Sequence, residues 1–165
     1  MVKRYTAAET YIAITRITLG FIFLWAFFDK LFGLGFATSP GKAWIDGVSP
    51  TVGFLSHAVT GPFANWYHAL AGNWLVDWLF MLGLLGIGLA FVFGVALKFA
   101  GYAGALLVAL MYLSLIPPKQ NPLVDEHIIY AFLLLFFATT TTKRRYSLDN
   151  VWQQLSFVKR YPLLQ

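Results

Sequence analysis

Cysteine is absent from this chain of 165 residues, and charge of either sign is scarce. Without a thiol the chain builds no disulfide, thiolate metal site, iron–sulfur cluster or dithiol redox centre from its own side chains. Any electrons it handles must sit on a bound group. Charged residues make up 12% against 59% hydrophobic, which is too little polar surface to clothe a soluble domain of this size. Acids are the scarcer sign, 7 against 12 Lys and Arg, leaving a net charge of +5. The basic residues stand at the ends of apolar runs instead of forming one patch, which argues against a nucleic-acid partner and for orientation in a lipid bilayer. The three histidines, His57, His68 and His127, show no ligand spacing, so no metal or haem is predicted.

What the chain has in quantity is long apolar runs. A hydrocarbon core of about 30 Å needs about 20 helical residues. Runs at about 11–36, 75–96, 99–116 and 125–142 therefore predict four transmembrane helices in an all-α membrane domain covering 1–165. The basic start and the small residues at Ala37 to Ser39 also fit a signal peptide, but the first run is expected to remain as a span. The long connection 37–74 carries Trp44, Trp66, Tyr67 and Trp74 and predicts short interfacial helices, one capped at Ser49-Pro50 and running to about Val59, another from Pro62 to Leu70. Gly83, Gly86, Ala90 and Gly94, followed by Gly101, Gly104 and Ala105, predict that the second and third spans pack closely on each other. Leu148, Val151, Trp152 and Leu155 share a helical face, so 147–158 is expected to lie as an amphipathic helix on the membrane surface.

Alternating four spans puts Lys3, Arg4, Lys98, Lys143, Arg144, Arg145, Lys159 and Arg160 on one side and Lys42, Lys119 and Lys30 at the other. The excess of positive charge predicts that both termini are cytoplasmic, in the plasma (inner) membrane of a prokaryote. Arg16 lies about 20 Å of helix from Asp29 and is expected to snorkel to the cytoplasmic headgroups, outside any site.

The other intramembrane charges gather at the outer side: Asp29 and Lys30 late in the first span, Asp77 at the start of the second, and Asp125, Glu126 and His127 opening the fourth after the turn Asn121-Pro122. These six are the candidate catalytic residues. Each has a plainer reading. Lys30 can reach the interface, Asp77 and one of Asp125 and Glu126 suit the positive end of a helix, and His127 can be satisfied by a neighbouring carboxylate. Tyr130 lies one turn beyond His127, and this pair with Trp25 and Phe28 forms the candidate quinone-binding set, an apolar slot with a donor near a carbonyl.

The first span, from Arg16-Ile-Thr-Leu-Gly20 to Trp25-Ala-Phe-Phe-Asp-Lys30, together with Asn121-Pro-Leu-Val-Asp125-Glu-His127-Ile-Ile-Tyr130-Ala, resembles the DoxX/DoxD family of small four-helix membrane proteins. Gly41-Lys-Ala-Trp44-Ile, Gly53-Phe-Leu-Ser-His57 and Asp77-Trp-Leu-Phe-Met-Leu-Gly83 extend the likeness over nearly the whole chain. The resemblance implies the large subunit of a thiosulfate dehydrogenase that joins two thiosulfates as tetrathionate and passes the electrons to a membrane quinone, beside a separate small outer-side subunit. Homo-oligomerisation is a further expectation. The alternative is a non-catalytic membrane scaffold or assembly subunit, its polar cluster holding helices together.

Overall fold

A computed structural model describes residues 6–119, 121–140 and 145–164. Among these the chain is helical with no strand. Helix α1 (Ala7–Phe32) opens on a capping box, the Thr6 hydroxyl accepting from the Glu9 amide while the Glu9 carboxylate accepts from that of Thr6. It stops at Gly33, whose left-handed φ of 64° ends the helix before the expected residue 36. The connection holds a 3-10 turn at Trp44–Asp46, one π-helical turn at Phe54–Ala58 and helix α2 (Ala64–Leu70). The helix expected from Ser49 to about Val59 is present in shorter form over residues 52–58, the π-turn making up most of it.

Helix α3 (Trp74–Phe93) is capped by Asn73 and stopped by Gly94 at φ 69°, and α4 (Leu97–Ser114) follows at once. Helix α5 (Glu126–Thr139) is capped by Asp125. Three helices, α1, α3 and α4, are long and apolar enough to cross a membrane, whereas α5 is apolar but has 14 residues. The last residues of the expected fourth span, Thr141 and Thr142, lie outside the described residues, as do Lys3, Arg4, Lys143 and Arg144 of the charge pattern.

The helices pack chiefly as α1 on α3 and α4 on α5, with α3 and α4 joining the two pairs. Their shared core runs through Phe23, Phe27, Met81, Ile87, Phe91 and Leu134. Gly83 and Gly104 bear out part of the expected packing, a Cβ on Gly83 of α3 meeting Leu107 of α4 at 3.2 Å and one on Gly104 of α4 meeting Ile87 of α3 at 3.3 Å, but the tightest approaches join other partners. A Cβ on Gly20 of α1 would come within 2.7 Å of the Val92 nitrogen and 2.9 Å of the Gly88 oxygen, and one on Gly101 of α4 within 2.5 Å of the Leu134 oxygen of α5. Backbones approach closely within the two pairs, where glycine leaves no side chain to hold them apart. Gly86 meets nothing within 4 Å.

Arg16 departs from the snorkelling expectation. It is 2% exposed and turns inward, donating to the carbonyls of Phe91, Val92 (3.1 Å), Arg145 (3.3 Å) and Tyr146 (2.8 Å). The orphan carbonyls at the end of α3 carry partial negative charge and offer a guanidinium in low dielectric what headgroups would otherwise supply. Arg145 reaches back to the Thr10 hydroxyl, so the start of α1, the end of α3 and residues 145–148 gather at one end of the bundle. The tail is not the single helix expected over 147–158: it divides into α6 (Asp149–Trp152) and α7 (Ser156–Arg160) with Leu155 extended between them, and the Trp152 Nε1 donates to the Leu164 carbonyl at 2.7 Å.

Candidate functional site

The opposite end carries the candidate residues, and three of them, Asp29, Asp77 and Asp125, each centre a separate local network. Asp29 is 1% exposed on the last turn of α1, where its carboxylate accepts from the amides of Phe36 (3.2 Å) and Thr38 (2.8 Å). Gly33 and Leu34 donate to its carbonyl oxygen as well, so Asp29 folds the chain back over the helix end. Lys30, half-buried, lies with Nζ 5.8 Å from the centre of the Phe80 ring, a cation against the face of a ring on α3.

Asp77 is 6% exposed in the first turn of α3 and accepts from Ser49 Oγ at 2.8 Å and Thr51 Oγ1 at 2.5 Å. Ser49 caps the helical turn as expected, accepting from the amide of Val52 at 3.1 Å, and its hydroxyl also ties the loop to the carboxylate. Nearby, Trp44 packs edge-on against Trp78 at 4.7 Å and locks the 3-10 turn onto α3. These partners explain why an acid is tolerated there: two hydroxyls and the helix N-terminus stabilise its charge.

The third network is the one with a free functional atom. Asp125 caps α5, its Oδ1 accepting from the amide of His127 at 3.0 Å and of Ile128 at 3.4 Å, while its Oδ2 lies 2.8 Å from His127 Nδ1. One carboxylate therefore starts the helix and orients the imidazole. The turn before it is built by Asn121, whose Oδ1 accepts from the amides of Leu123 and Val124, and by Tyr112 of α4, whose hydroxyl donates to the Leu123 carbonyl at 2.9 Å. The His127 side chain is 12% exposed; among the described residues its Nε2 has no hydrogen-bond partner, and it is not sealed in the interior. An imidazole held at Nδ1 by a carboxylate, with Nε2 reaching the surface, has the arrangement of a proton donor and acceptor. Glu126 is exposed, and Tyr130 is half-buried against the core one turn along.

Among the described residues no hydrogen bond or ion pair joins the networks of Asp29, Asp77 and Asp125, although all stand at one end of the bundle. Trp25 and Phe28 are exposed on α1; Trp25 packs on Phe21 and Phe36, Phe28 on Phe27 and Phe32, and no ring pair links either with Tyr130. His57 and His68 are exposed on the connecting loop. No three His, Asp or Glu side chains among the described residues converge to hold a metal ion.

Sequence reasoning missed the residues that complete the networks: Thr51 beside Asp77, Tyr112 beneath the Asn121 turn, and Tyr67. Tyr67 on α2 is buried and donates to the Leu110 carbonyl of α4 at 2.7 Å; burial pushes its phenol above the ordinary value. The Thr60 amide bonds the Ser114 carbonyl beside it, so the loop is clipped over the end of α4. Only the Asx turn at Asn121 had a local signal, the Asn-Pro pair. No protein-family model, curated protein or solved structure matches the chain.

Proposed function

We propose that the chain is the membrane subunit of a quinone-linked oxidoreductase in which His127, oriented by Asp125, handles protons at the loop-bearing end of the bundle. The observation that carries this reading is the 2.8 Å contact between Asp125 Oδ2 and His127 Nδ1, which leaves Nε2 to face a ligand. In this reading α5 is a fourth crossing, the end bearing Arg145 and Lys159 is cytoplasmic in a prokaryotic plasma membrane, and the loop lies outside. A quinone would supply a two-electron, two-proton acceptor. His127 fits a quinone carbonyl because Nε2 can present or take a proton there, and Tyr130 borders the same position from within α5. Trp25 and Phe28, on the exposed face of α1, would supply the apolar side of the slot in this reading.

The electron donor belongs to the resemblance: two thiosulfates joined as tetrathionate release two electrons, and a separate small outer-side subunit would accompany this chain. Lys30, standing over Phe80 beside Asp29, is the cation this reading offers to such an anion. The test is binding of decylubiquinone to the purified protein, followed by reduction with thiosulfate. Saturable binding that His127→Gln weakens on the order of tenfold, with melting unchanged, supports the reading. Absence of quinone binding by the intact protein rejects it.

A second reading is favoured by Asp29 and Asp77, whose carboxylates are fully engaged in fastening loop to helix. A non-catalytic scaffold requires nothing more of them. If His127→Gln lowers the melting temperature as far as Asp29→Ala does, the polar end is structural and the scaffold stands.

A further inference from the structure

Residues 145–164 form a cap fastened to the bundle at several points. The Leu148 amide donates to the Phe93 carbonyl at 2.8 Å, and Arg16 grips the Tyr146 carbonyl at 2.8 Å. Trp152 meets Phe157 edge-on at 5.5 Å, Val158 is fully buried, and the 3-10 turn Pro162–Leu164 packs against α4. These contacts hold the cap at the level where α3 ends and α4 begins. For helices that cross a bilayer, that level is the boundary between acyl chains and headgroups.

The outward side of the cap is apolar and basic together. Leu148, Val151, Leu155, Phe157 and Tyr161 are exposed, and so are Lys159 and Arg160. From residue 143 onward the sequence holds Lys143, Arg144, Arg145, Lys159 and Arg160 against Asp149 alone. Exposed apolar side chains need a cover. Their position beside the span ends and their one-signed charge select a bilayer surface with negative headgroups over a protein face.

We infer that residues 145–164 are a lipid-reading cap that sinks its apolar side chains among acyl chains and sets Lys159 and Arg160 against anionic phospholipid headgroups. The cap is coupled to the bundle through Arg16, which holds the end of α3 and the start of the cap in one hand of hydrogen bonds. Anionic lipid therefore steadies that end of the bundle as well as the cap.

The experiment is amide hydrogen exchange of the full chain in nanodiscs of phosphatidylcholine and of phosphatidylcholine mixed with phosphatidylglycerol, for the unchanged protein and for a Lys159→Gln, Arg160→Gln variant. Exchange at 147–164 is expected to slow on the order of tenfold in the anionic discs, to lose that protection at high salt, and to lose it in the variant. Amides of α3 and α4 in the same sample report whether the variant is folded. Equal exchange in the two lipids, or protection that survives the double substitution in a folded protein, overturns the inference and leaves the apolar face to a protein partner.

Discussion

Asp125 Oδ2 lies 2.8 Å from Nδ1 of His127, two residues along the same chain, while the other carboxylate oxygen caps the helix that carries the histidine. The cap and the imidazole are thus served by different atoms of one side chain. That division can be separated by substitution.

Asn is as good an N-cap as Asp, so Asp125→Asn is expected to keep the melting temperature near that of the unchanged protein. It removes the anionic partner of Nδ1 and should lower quinone reduction on the order of tenfold. Asp125→Ala loses both functions and costs about 1 kcal/mol of stability besides. Thermal melts and turnover measured on the two variants check the difference.

Arg16 bonds carbonyls from two separated parts of the chain. Arg16→Met leaves those buried acceptors without their donor and is expected to destabilise the protein by about 3 kcal/mol. Arg16→Lys recovers only part of this, because a point charge with three donors cannot reproduce the planar fork. Chemical denaturation in detergent ranks the three proteins.

Gly20 and Gly86 look alike in sequence, both inside apolar helices. A Cβ at Gly20 would meet backbone atoms of α3 within 3 Å, whereas at Gly86 it meets nothing within 4 Å. Gly20→Ala should therefore force α1 from α3 and cost about 2 kcal/mol. Gly86→Ala should be neutral or stabilise by up to about 1 kcal/mol through helix propensity. Opposite shifts in melting temperature are the expected outcome.

Tyr67 has its phenol raised from an ordinary value of 10.0 by burial. Folding favours the neutral form, so its contribution is complete below that ordinary value and is lost as pH rises through it toward the folded one. Alkaline titration followed by proteolysis within 59–71 is expected to show the loop opening, and Tyr67→Phe should abolish that pH dependence. The phenylalanine variant also loses the bond to the Leu110 carbonyl, so its loop should be cut faster at neutral pH.

The helices were legible because their signals are local. Apolar runs marked α1, α3, α4 and α5, and Asn73 and Asp125 stand as caps where short polar residues precede such runs. What local signals could not show is which distant partners the side chains take. The Ser49 hydroxyl caps its own turn and also donates to Asp77, and the Trp152 indole donates to the Leu164 carbonyl across the break in the tail. Propensity cannot see either partner.

The sequence by itself determined the chemistry on offer: no thiols, few charges, apolar helices, and acids with one histidine concentrated at one end of them. Tertiary structure decided what those groups do. It turned Arg16 inward onto carbonyls at the end of α3 and the start of the tail, and it assigned Asp29 and Asp77 to loop segments 7 to 28 residues away. It also decided which glycines bring backbones together, because small residues permit close approach without naming the partner. At the polar end, the Asn121 turn and the pairing of Asp125 with His127 were near enough in sequence to be set locally, and it is at His127 that a ring nitrogen is left for a ligand.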